Sequence, residues 1–157
     1  MLQRFQTLFL IVVVISMVMS LLLPIWNKVD YPSQTKIELT AFSLSTYQND
    51  VKTDSVITVY LAVLAVLAAV VAGYSITRYD SRMTQIKMGA LNSLLMAALL
   101  LTSLYLANDA ESKISPDSEG NYLLGFFAPV IGLICNILAN RFIRRDEMLV
   151  RSADRLR

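Results

Sequence analysis

The sequence predicts an all-α membrane protein: a four-transmembrane-helix up-down bundle with a short extracytoplasmic β-like loop and a helical cytoplasmic C-terminal tail. Three observations predict it. Stretches at about 5–26, 55–77, 88–107 and 121–143 are strongly apolar, and the first three contain no charged residue. Only 17% of the 157 residues are charged and 55% are hydrophobic, whereas soluble domains carry about 25% charged residues. Arginine, finally, is concentrated at places that a four-pass path brings to one side of a bilayer.

Residues 5–26, FQTLFLIVVVISMVMSLLLPIW, form the first span. At about 1.5 Å per residue, this length crosses a hydrocarbon core of about 30 Å. Its apolar core, Leu8 to Leu23, exceeds the roughly 7–15 residues of a signal-peptide h-region, and no A-x-A site follows. A retained helix is therefore expected. Pro24 and Trp26 mark its far end, where an indole suits the headgroup level.

Residues 27–54 read as a polar loop. Within it, Ile37, Leu39 and Ala41 alternate with Lys36, Glu38 and Thr40, a period of two that predicts a short strand or hairpin on the membrane surface. Two short strands are marginal alone, so these must lean on helix ends or a partner. Residues 55–77 give the second span, and 78–87 a basic turn. The third span is 88–107, followed by an acidic, turn-rich stretch at 108–120. The fourth, 121–143, reaches the interface at Arg141 and leads into the basic tail 144–157. No long-period repeat or linker interrupts the chain, which predicts one domain over 1–157.

An even number of spans separates the N-terminus, the 78–87 turn and the tail. That side would hold ten basic and four acidic residues, a net +6, and the other four basic and eight acidic, a net −4. The positive-inside rule then places both termini in the cytoplasm.

Close helix contacts in lipid favour small residues at four-residue spacing. The spans offer Ser16 and Ser20; Ala65, Ala69 and Gly73; Gly89, Ser93 and Ala97; and Ala128, Gly132, Asn136 and Asn140. Candidate packing positions are Gly73, Gly89, Asn92, Gly132, Asn136 and Asn140. The three asparagines have two readings, as interhelical hydrogen-bonding glue or as the polar lining of a substrate path. Pro129 is expected to kink the fourth helix or free one backbone bond.

The chain has no His, and its single Cys135 lies in an apolar run. No acid or base lies well inside a span, as ion-coupled transport generally requires. No phosphate-binding loop or metal-ligand spacing is present. We therefore expect no catalytic residue, no cofactor and no metal site. The polar interest lies in the tail, which has no Gly or Pro and pairs Glu147 with Arg151 at the favourable spacing of four. Candidate contacts to a partner or to lipid are Arg4, Arg141, Arg144, Arg145, Arg151, Arg155 and Arg157. Interleaved acids and the lack of aromatic platforms disfavour nucleic acid.

The opening Met1-Leu2-Gln3-Arg4-Phe5-Gln6-Thr7, then Leu23-Pro24 and Trp26, and the closing Arg145-Asp146-Glu147 through Leu149-Val150-Arg151-Ser152-Ala153-Asp154-Arg155-Leu156-Arg157 carry a resemblance over essentially the whole chain. The sequence resembles a small membrane protein family of Bacteroidota, catalogued as domain of unknown function four-two-nine-three. The resemblance implies a four-helix protein of the bacterial inner membrane and brings no activity, cofactor or catalytic residue.

The expectation is a non-catalytic accessory or scaffold subunit of a larger cytoplasmic-membrane complex, not an enzyme. Its partners would be other integral membrane proteins, anionic lipid, and a cytoplasmic partner at the tail. The alternative is a small oligomeric transporter or lipid-handling protein that uses Asn92, Asn136 and Asn140.

Overall fold

The computed structural model describes residues 2–30, 34–78, 82–113 and 120–154. Four helices dominate it: α1 (Leu2–Leu22), α2 (Val59–Thr77), α3 (Arg82–Glu111) and α4 (Leu124–Asp154). A five-stranded antiparallel sheet accompanies them: β1 (Trp26–Asp30), β2 (Thr35–Leu39), β3 (Ser43–Gln48), β4 (Val51–Ile57) and β5 (Asn121–Tyr122), in the order β4-β3-β2-β1-β5. The all-α expectation is therefore corrected.

The sheet explains where the helices depart from the expected bounds. Residues 55–57 lie in β4, because β4 pairs with β3 as far as Ser43↔Ile57, so α2 starts at Val59 instead of residue 55. Asn121 and Tyr122 pair with Asn27 and Trp26, which delays α4 to Leu124. In the other direction, α3 begins six residues before 88, since Met83, Gln85 and Lys87 are sound helix formers with no Gly or Pro among them.

Neighbouring helices pack antiparallel in a ring, α1 against α2 and α4, and α3 against α2 and α4. Phe9 stacks on Phe142 while Ser20 bonds Gly125, which sets α1 against α4. Asn136 reaches Ser93 across α3 and α4, and Gln85 reaches Ser75 across α3 and α2. One end of the ring thus carries the start of α1, the end of α2, the start of α3 and the end of α4. The sheet covers the other end.

Large apolar side chains cover the outside of the ring, unlike the surface of a soluble protein. Inward positions mix large apolar groups, Val13, Met17, Met96 and Leu99 among them, with small or polar ones such as Ser16, Ser20, Ala65, Ala68, Ala72, Asn92, Ser103, Ala107, Asn136 and Ala139. Outward positions hold Leu8, Ile11, Ile15, Val63, Val70, Leu94, Leu101, Ile131, Ile134 and Ile137. In water, such an outer surface would far exceed the apolar patches soluble monomers tolerate. Lipid, being as apolar as leucine, rewards close packing of small residues instead. Three helical segments are long and apolar enough to cross a membrane, Val59–Thr77, Met83–Glu111 and Leu124–Leu149; the apolar part of α1, Gln6–Leu22, is shorter.

The sheet rests on the helix ends. Trp26, Ile37, Leu39 and Leu44 bury one row against Leu61, Ala107 and Ala110. Trp26 is 1% exposed, so the headgroup role expected for it is corrected. Its ring lies against Gly120, where any side chain would collide with it. The alternation read at 36–39 is real: Ile37 and Leu39 face in, while Lys36 and Glu38 form an ion pair at 2.8 Å on the opposite face. Asn49 and Asp50, both at positive φ, make the two-residue turn from β3 to β4, the geometry that matches strand twist in a tight hairpin.

Candidate functional site

The site builds from α4, which continues without a break from its apolar stretch into the charged tail. Asn140, Arg141, Arg144, Arg145 and Met148 recur at helical spacing on the side of α4 that meets α3. On α3, Ala90, Ser93, Leu94 and Ala97 answer them. Between the two faces runs a groove of about 1120 Å³, completed by Leu133 and Ile137. From Leu133 to Met148 it extends about 22 Å along the helix, fifteen residues at the usual rise. Its inner part is apolar and its outer part is rimmed by three exposed arginines. None of the three is ion-paired to another described residue.

A hydrogen-bonded knot forms the wall beneath the rim. The Asn136 amide nitrogen donates to the Gly89 carbonyl at 2.7 Å and to Ser93 Oγ at 2.8 Å. Ser93 Oγ donates to the same carbonyl at 3.1 Å. The Asn140 amide lies directly over Gly89, where a Cβ would occupy its place. The glycine therefore lets α4 approach and its carbonyl gather donors. Gly132 plays the matching part on the α1 side, its surface taken up by Ser16, Met17 and Met96.

The other expected positions fall differently. A Cβ on Gly73 would meet nothing within 4 Å; the inward line of α2 runs through Ala65, Ala68, Ala72 and Ser75. Asn92 is 1% exposed, and neither of its amide atoms bonds a described group. Arg155 and Arg157 lie outside the described residues. Arg4 and Arg151 belong to α1 and α4, but the description of their positions stops at the backbone. That backbone brings Arg4 to the end of the ring where α4 emerges. Arg78 is there too, its Nε donating to the Tyr74 hydroxyl at 2.8 Å and its guanidinium over the Tyr74 ring.

Sequence reasoning missed Lys28. It sits on the inner face of β1 at 1% exposure, its Nζ 3.5 Å from the Glu111 carbonyl and 4.0 Å from a Glu111 carboxylate oxygen. Glu111 closes α3, so the ammonium caps the negative end of that helix. The signal was its place in the alternation Trp26, Lys28, Asp30. Among the described residues, no group of three His, Cys, Asp or Glu could hold a metal ion.

A protein-family model matches residues 2–156. The chain belongs to the family described as Domain of unknown function (DUF4293). The DUF4293 match takes in both arginine-bearing ends, the helices and the sheet together. No curated protein matches the chain.

Proposed function

We propose that this DUF4293 protein crosses the bacterial cytoplasmic membrane four times with both termini inside, and serves there as a non-catalytic accessory or scaffold subunit of a larger membrane complex. The observation that carries this is the placement of its distinctive polar groups. Arg141, Arg144 and Arg145 stand exposed at the end of the ring where Arg78 and the start of α1 also lie. They supply positive charge and directional donors, and the residues lining the groove include no carboxylate, histidine or cysteine. Such a surface is suited to holding an anionic group.

Support for four crossings comes from the large apolar side chains exposed along all four helices, α1 included. Support for the orientation comes from charge. Arginines gather at one end, and acids such as Asp30, Glu38, Asp50, Asp54 and Asp109 at the sheet end. Crosslinking in native membranes followed by mass spectrometry tests the reading. Crosslinks from this chain to another membrane protein are expected, and they should be lost when residues 144–157 are deleted. Recovery of this chain alone would overturn the scaffold assignment.

A second reading, a small oligomeric transporter or lipid-handling protein, draws on Asn92, whose buried amide has no bonded partner among the described residues. Replacing Asn92, Asn136 and Asn140 together by Leu would then abolish flux while leaving membrane levels intact.

A further inference from the structure

We propose that the groove between α3 and α4 is a binding site for one anionic phospholipid, with its phosphate held by Arg141, Arg144 and Arg145 and an acyl chain laid along Leu94, Leu133 and Ile137. This rests on the membrane placement proposed above and names what the arginine rim takes.

Charge complementarity selects the occupant. The three guanidinium groups follow one another at spacings of three and one along α4, on the side that lines the groove. They are exposed and not ion-paired to described residues, so their charge is open to an anion from outside. A guanidinium presents a planar fork that matches phosphate oxygens. Basic pockets between transmembrane helices at the inner face of a membrane bind anionic headgroups in this way. The apolar floor decides between a lipid and a free anion. Leu94 and Ile137 are 69% and 55% exposed, and they continue directly from the rim. A free anion would engage the rim alone, whereas a lipid held there by its phosphate lays its own acyl chain along them. A transmembrane helix from a partner would bury the same leucine and isoleucine, but it would need carboxylates of its own at the rim to meet three adjacent arginines.

The knot beneath the rim makes the groove a fixed shape. Asn136 joins α4 to α3 through Gly89 and Ser93, and Asn140 fills the space over Gly89. The two walls are therefore held apart at a set distance before any lipid arrives, which reduces the ordering cost of binding.

The test uses the full-length chain in nanodiscs of mixed phosphatidylglycerol and phosphatidylcholine, with lipids retained after transfer to detergent counted by native mass spectrometry. One phosphatidylglycerol per chain is expected to persist. Each arginine near an anionic surface is worth a factor of roughly five, so Arg141→Gln with Arg144→Gln and Arg145→Gln should weaken retention on the order of a hundredfold. Ala97→Trp, which fills the floor and keeps every charge, should also eject the lipid. Near-equal retention in both variants would overturn the proposal. So would inorganic phosphate displacing the lipid at millimolar concentration, since the site would then be for a free anion. Circular dichroism of each variant in detergent separates lost binding from lost fold. The outcome is independent of the scaffold reading: a lipid retained by a chain that crosslinks to nothing keeps this site and removes only that role.

Discussion

Ser20 donates its hydroxyl to the carbonyl of Gly125 at 3.0 Å, and that carbonyl is the one Pro129 leaves without a donor. Pro129 lies inside α4, four residues on, and has no N–H to offer. The loss falls in an apolar setting where an open carbonyl is costly, and a hydroxyl from α1 repairs it. The proline thus converts a bond within one helix into a bond between two.

Removing the hydroxyl should cost stability only while the proline is present. Ser20→Ala is expected to lower unfolding stability by about 1 kcal/mol. In a Pro129→Ala background, the backbone N–H restored at that position can bond the Gly125 carbonyl itself, so the same Ser20 substitution should cost much less. Thermal unfolding of the four proteins in detergent, followed by circular dichroism, measures the coupling. Additive effects would show that the two features are unrelated.

Gly132 and Gly73 should behave oppositely. Gly132→Leu forces a side chain into Ser16, Met17 and Met96, and overpacking of this kind costs about 1–3 kcal/mol. Gly73→Ala enters open space and should be neutral or stabilise by up to about 1 kcal/mol through helix propensity. Midpoints of thermal unfolding give both signs.

The asparagines divide in the same manner. Asn136→Leu removes both donors to α3 and should destabilise by about 1–2 kcal/mol. Asn92→Leu removes a buried amide without bonded partners among the described residues and should leave stability unchanged or raise it. Unfolding of each variant in the same detergent decides. A large loss at Asn92 would reveal a partner for that amide.

Lys36 carries a pH dependence. Its hydrogen bond to Glu38 raises its pKa above the ordinary 10.5, burial opposes this, and the charges of Glu38, Tyr47 and Asp50 add to the rise. The folded value exceeds the unfolded one, so the pair's contribution is complete below pH 10.5 and lost as pH rises through the folded value. Glu38→Gln should return the titration toward 10.5. NMR titration of the lysine side chain, isotopically labelled, reads the shift directly.

The three longer apolar helices and their antiparallel path were legible because charge is absent within the apolar runs and dense where they end. The sheet was hidden by the same signal. Ser55, Val56 and Ile57 are uncharged and adjoin a helix, so β4 merged with the span after it. β3, SLSTYQ, buries only Leu44 and Ser45 and gives too little alternation to be seen; the Asn49-Asp50 pair was the usable clue. The small-residue lines erred for a geometric reason. Steps of four residues turn about 40° beyond a full circle each time, so Ala65, Ala69 and Gly73 walk off the contact while Ala65, Ala68, Ala72 and Ser75 remain on it. The same drift carries Asn140 from the core, where Asn136 stays, to the groove.

Lys28 changes how the sheet end can be mapped by chemistry. Four lysines lie there, and amine-reactive reagents added in solution meet three of them. Lys36 and Lys113 have side chains 41% and 61% exposed, and Lys52 lies on the fully exposed β4. Lys28 is shut beneath its strand against the end of α3. A modified Lys28 therefore reports that the strand has lifted from the helix, which makes its acylation a probe for partial unfolding at this end.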